Sequence, residues 1–140
     1  MPKEDIRWIQ RFSNYRKALE KLRDAVADYD EEEMSDLEKE GVIQRFEYTF
    51  ELAWRTLQDL LAYRGYANIH GPNPVLKQSL QDGYIHNEKL WRTMKEAREI
   101  TSHTYDEDKA NVIVGKIAVE YNDLLSQLKE RLDIEMKKDS

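Results

Sequence analysis

The sequence predicts an all-α protein, an antiparallel up-and-down four-helix bundle with a short extra helix in the middle connection. Three observations carry that expectation. Apolar residues recur at alternating steps of three and four along most of the chain, which is the period of a helix face. Only five glycines and three prolines occur in 140 residues, and strong helix formers fill the rest. The apolar stripes fall into four segments joined by short connections, the pattern of antiparallel neighbours.

The first helix follows from Trp8, Phe12, Tyr15, Leu19, Leu22 and Val26, with Ile9, Ala18 and Ala25 widening the stripe. It fades into the acidic run Asp28, Asp30, Glu31, Glu32 and Glu33, read as a solvated turn. Ser35 and Glu38, three residues apart, form a capping box that opens the second helix. Its stripe is Ile43, Phe46, Phe50, Ala53, Leu57 and Leu60, and Arg64–Gly65 closes it. Each of these helices spans about 25 to 30 residues, or roughly 40 Å. Asn73 as N-cap and Pro74 in the first turn predict a short helix over 74–82, stopped by Gly83. Asn87 caps the next, with Leu90, Met94, Ala97 and Thr101 on one side. The last long helix carries Ile113, Ile117, Tyr121, Leu124, Leu128 and Leu132. Residues 1–140 thus read as one domain, without internal repeats and with a frayed KKDS tail.

Composition narrows the chemistry. The chain has no cysteine, so disulfides, thiolate catalysis and Cys-based zinc sites are excluded. No apolar run approaches the roughly 20 residues that span a bilayer. The opening MPKEDIRWIQ lacks an apolar signal core, so a cytoplasmic protein without membrane contact is expected. A net charge of −6 opposes tight nonspecific nucleic-acid binding but leaves room for a local phosphate site. His70 and His86 lack a helical partner at four residues, and Asp106-Glu107-Asp108 lacks the glycine and distal glutamate of a calcium loop. No metal and no cofactor are expected. Trp54, Tyr48 and Trp91 exceed what a lone bundle needs, so they either finish the core or serve a second interface; a homodimer is the expectation.

The stretch richest in chemistry is Arg98-Glu-Ile-Thr-Ser-His103-Thr-Tyr105-Asp-Glu-Asp108. Thr104 and Glu107 fit a capping box, so one helix should end near Thr101 and the next begin near Thr104. That boundary matters, because residues five apart on one continuous helix point about 140° away from each other. A break would let Arg98 and His103 converge near free helix-start amides that favour an anion. Arg98 can grip two phosphate oxygens, His103 can move protons near neutral pH, and Tyr105 offers a hydroxyl. Spacing alone favours an ordinary role, with Arg98 paired to an acid such as Glu96 or Asp106 and His103 packed at a corner. Glu47, Glu51 and Arg55 share a helix face, as a solvated charge ladder or as a polar wall that orients Arg98.

Residues 41–57, GVIQRFEYTFELAWRTL, and residues 98–105, REITSHTY, together resemble the nucleotidyltransferase substrate-binding protein family. That family belongs to the HEPN group (higher eukaryotes and prokaryotes nucleotide-binding), and the similarity runs from about Arg11 to Leu132. The resemblance implies a dimerising helical bundle and a separate, minimal nucleotidyltransferase as partner. In similar pairs the helical subunit is a toxin, a metal-independent ribonuclease carrying Arg-x4–6-His, and the partner silences it by adding AMP to a tyrosine. By that resemblance Arg98 would bind the scissile phosphate, His103 would transfer protons during 2′-OH attack, and Tyr105 would accept the AMP. Glu47, Glu51 and Ser102 are candidate cleft-lining residues, and two copies of the motif would form one cleft for RNA or a nucleotide. The chain lacks the Gly-Ser motif with paired aspartates of a nucleotidyltransferase, so it should not catalyse that transfer itself. Two readings stay open, a binding subunit for the nucleotidyltransferase and an active endoribonuclease.

Overall fold

The computed structural model describes residues 7–30, 32–103 and 106–139. These residues are all-helical: α1 (Arg7–Val26), α2 (Asp36–Tyr63), α3 (Pro72–Gln81), α4 (Glu88–His103), α5 (Glu107–Lys116) and α6 (Asn122–Asp139). A π-helical turn, Ile117–Tyr121, joins α5 to α6 in one continuous cylinder.

The stripes of the sequence become the core. Trp8, Phe12 and Tyr15 of α1 stack in succession and are buried. Phe46 of α2 stacks on Tyr121, and Phe50 meets Trp91 of α4 at 6.4 Å between ring centres. Chain directions follow from cross-helix pairs. Arg11 meets Asp59 and Arg45 reaches Lys21, so α1 and α2 run oppositely. Phe50 lies by Trp91 and Glu47 by Arg98, so α4 opposes α2. Arg16 meets Asp133 and Trp8 donates to Asp139, so α6 opposes α1.

The Ser35–Glu38 capping box forms in both directions, and α2 closes on Arg64 with Gly65 at φ +104°. Asn87 caps α4, accepting from the Leu90 amide at 3.2 Å. One expected boundary changes. The short helix begins at Pro72, with Gly71 rather than Asn73 as N-cap. Gly71 takes φ +86°, and the two prolines then fall in the first turn, where their missing N–H groups leave nothing unsatisfied. The π turn was not foreseen. Ile113, Ile117 and Tyr121 step by four, faster than 3.6 residues per turn, and a wider turn lets all three stay buried. Of the surplus aromatics, Trp91 and Trp54 finish the core, and Tyr48 alone is exposed, at 61%.

At one end, Glu135 is buried and accepts from Arg64, Arg131 and Lys138, while Arg64 also donates to Asp139 at 2.8 Å. Burial pushes the Glu135 carboxyl up, but the three cationic hydrogen bonds outweigh it and hold its pKa at about 2. Hydrogen bonding to Asp139, opposed by burial and joined by Glu135, raises Arg64 above its ordinary value.

Candidate functional site

The site region lies where α4 ends and α5 begins, against the first half of α2. Arg98 and Thr101 are three apart on α4 and therefore share the face turned to Glu47. The Arg98 guanidinium donates to the Glu47 carboxylate at 3.5 Å, and the Thr101 hydroxyl donates to the same oxygen at 2.7 Å. Thr101 thus fixes the carboxylate that faces Arg98. Neither Glu96 nor Asp106 takes that place.

Arg98 is incompletely satisfied. Its side chain is 29% exposed, yet its Nε is buried and has no hydrogen-bond partner among the described residues. A guanidinium offers five N–H donors, and here one long contact occupies it. A buried orphan donor costs about 1–3 kcal/mol, so spare donor capacity at this position has a price in stability. Its partners Glu47 and Thr101 line a cavity of about 210 Å³ together with Ile43, Asp106, Lys109 and Ile113 among others; Arg98 itself is not part of that lining.

The chain does not break between Arg98 and His103. Helix α4 continues through His103, and the interruption follows it. The helix position of His103 is therefore rotated about 140° from that of Arg98 and displaced about 7.5 Å along the axis. The expected Thr104 cap is also replaced: Asp106 caps α5, accepting from the amides of Asp108 at 3.0 Å and Lys109 at 3.1 Å. Those amides are thereby occupied, and a carboxylate sits where an anion was expected. The short Asp106 side chain reaches both amides with one oxygen. The side chains of Ser102 and His103, and all of Thr104 and Tyr105, lie outside the described residues.

Glu51 is not brought to Arg98. It accepts from Arg55 at 3.0 Å and from the Trp54 indole at 3.1 Å, as the charge-ladder reading holds. Thr101 is the residue that sequence reasoning missed as a site member. Its spacing of three from Arg98 was the available signal. Among the described residues no cluster of His, Asp and Glu could hold a metal ion.

Comparison with known proteins adds to this geometry. A family model described as nucleotidyltransferase substrate binding protein like matches residues 10–134. A protein of Haemophilus influenzae named probable ribonuclease HepT is 34% identical over an alignment of 98 positions that covers 65% of this chain and 67% of the relative. A crystal structure of a Thermus thermophilus protein superimposes with a TM-score of 0.75 at 32% identity, over 84% of this chain and 98% of the other.

Proposed function

Because the chain belongs to the nucleotidyltransferase substrate-binding protein family, we propose that it is the helical partner subunit of a separate small nucleotidyltransferase, and the toxin-like half of that pair. The pairwise helix directions support an antiparallel up-and-down four-helix bundle, with α3 as the extra helix and residues 1–140 as one HEPN-like domain. No described helix is long and apolar enough to cross a membrane. A cytoplasmic location is part of the proposal.

A specific observation favours a second, enzymatic reading: among the described residues Arg98 has a buried N–H without a partner, and Glu47, the carboxylate it meets, lines an open cavity. The curated relative, named as a probable ribonuclease, supports the same reading. In it, a 2′-hydroxyl attacks the adjacent phosphorus, the 5′-oxygen leaves, and a cyclic phosphate remains. Arg98 holds the non-bridging oxygens as charge grows there, and His103 moves a proton between attacking and leaving oxygens. No metal takes part.

The continuous helix adds a condition. One copy of α4 sets positions 98 and 103 on different faces, so a site using both residues draws on two copies of the chain. The exposed apolar residues Ile100 of α4 and Val112 of α5 line a groove of about 470 Å³ between the two helices and support such a homodimer. Light scattering showing a monomer at micromolar concentration would remove the shared site.

Expression without the nucleotidyltransferase separates the readings. Growth arrest relieved by Arg98→Ala and by His103→Ala establishes the ribonuclease; a harmless wild type, inert on RNA, leaves the binding role alone. Co-expression with the nucleotidyltransferase is expected to add AMP to Tyr105, read as a mass shift on that residue's peptide. An unmodified Tyr105 would refute silencing by this route.

A further inference from the structure

A second surface on the same helix has the chemistry of a nucleic-acid groove. Asn14, Lys17, Ala18 and Lys21 of α1 face Arg45 and Tyr48 of α2 across a cleft of about 420 Å³. No carboxylate lines it. The chain has 28 acidic and 22 basic residues, and neighbouring cations are neutralised: Arg11 by Asp59, Arg16 and Lys129 by Asp133. Lys17, Lys21 and Arg45 form no ion pair with a described residue and are exposed. Arg45 is held over the cleft by donating to the Lys21 carbonyl at 3.5 Å.

Tyr48 completes the set. Its ring is 61% exposed, in a chain whose other large aromatics are mostly consumed by the core. Leaving so much aromatic surface in water forgoes burial that Phe46 and Phe50 on the same helix obtain. A ring beside unpaired cations is the pairing that single-stranded nucleic acid uses, with cations on phosphates and the ring under a base. The placement fits the site already described. Positions 43 and 47 of α2 line the cavity that Glu47 and Thr101 border while 45 and 48 line the cleft, so the two pairs lie about 150° apart around α2, roughly across its diameter of 10–12 Å.

We propose that the α1–α2 cleft is a subsite for single-stranded RNA, where Lys17, Lys21 and Arg45 take backbone phosphates and Tyr48 stacks on a base. It rests on the ribonuclease reading, since it supplies the strand that reaches Arg98. Three isolated cations on an acidic chain give local attraction without general affinity for duplexes.

The test is fluorescence anisotropy of the full chain with a labelled single-stranded 2′-O-methyl RNA of about a dozen nucleotides, which lacks the attacking hydroxyl. The triple variant Lys17→Ala, Lys21→Ala, Arg45→Ala should bind at least about tenfold more weakly and flatten the log affinity–log salt slope by about 2, at roughly 0.7 per phosphate contact. Tyr48→Ala should weaken binding by about fivefold or more without changing that slope, and Tyr48→Phe should restore it. Circular dichroism checks that these exposed substitutions leave the fold intact. Variants binding within twofold of wild type overturn the cleft while the Arg98 reading survives. A wild type that neither binds this oligonucleotide nor cuts RNA overturns both. A triple variant that binds RNA normally but no longer associates with the nucleotidyltransferase makes the cleft a protein-docking surface and overturns the assignment to RNA.

Discussion

Of the arginines that face carboxylates of other helices, Arg64 and Arg98 are treated oppositely. Arg64 donates to Glu135 at 2.9 Å and Asp139 at 2.8 Å, within a network that Arg131 and Lys138 complete. Arg98 has one carboxylate at 3.5 Å, shared with Thr101, and an idle buried Nε. The first arrangement engages both terminal nitrogens of Arg64 and ties α6 to α2. The second leaves donors free near a cavity that Glu47 lines, where another acceptor could use them. On the ribonuclease proposal, the incomplete satisfaction of Arg98 leaves donors for a phosphate, while the network at Arg64 serves structure.

The sharpest way to break that contrast is to delete each side in turn. His103→Ala or Arg98→Ala should lower RNA cleavage by about 10²–10⁴-fold, the usual worth of a proton-transfer group or an oxyanion-stabilising donor. Arg98→Ala should shift the denaturation midpoint little, by under about 1 kcal/mol, since its ion pair is long and partly exposed. A large stability loss with intact cleavage would reverse the assignment.

The opposite result is expected of Glu135→Ala. Removing this buried carboxylate takes one acceptor from Arg64, Arg131 and Lys138, with Asp139 left to Arg64, and should cost about 3 kcal/mol by urea denaturation, with cleavage per folded molecule unchanged. Acid should reproduce it. The folded pKa of Glu135, about 2, lies below its ordinary value of 4.5, so the folded state binds fewer protons in that range. Its stabilisation is therefore complete above about pH 4.5 and lost as pH falls toward 2, roughly 3 kcal/mol in all. In the Glu135→Ala variant that part of the acid dependence should vanish.

Which features were legible in the sequence follows from how local their causes are. The helices, the Ser35–Glu38 box and the Gly65 stop depend on neighbours within one or two turns, and the sequence displays those directly. The π turn at Ile117–Tyr121 was written in the four-residue steps but hidden by reading them as an ordinary stripe. The α5 cap was misjudged because Thr104 and Asp106 are both good caps, and local chemistry alone did not rank them. The Glu47–Arg98 contact joins residues 51 apart, and only the packing of α4 on α2 selects it over the nearer acids Glu96 and Asp106. The sequence named Arg98. It could not name its partner.

A smaller effect sharpens the role of that partner. Glu47→Gln keeps an acceptor for the Thr101 hydroxyl and removes the charge beside the cavity. If Glu47 positions Arg98, kcat should fall by roughly tenfold because a slackened guanidinium misses its near-attack geometry. KM for RNA should fall as well, because a negative charge no longer opposes the phosphates. A purely structural role for Glu47 would instead lower the amount of folded protein and leave both constants alone.

The smallest effect belongs to Glu51, one turn further along α2. Glu51 sits on the same helix and carries the same carboxylate as Glu47, but its partners are Arg55 and Trp54, within its own helix. An exposed pair at this spacing contributes about 0.2–0.5 kcal/mol. Glu51→Ala should thus change stability by no more than about 0.5 kcal/mol in urea denaturation and leave kcat and KM for RNA untouched. A clear loss of cleavage in this variant would mean that the polar wall extends a full turn beyond Glu47, and that satisfaction within one helix does not disqualify a residue from the site.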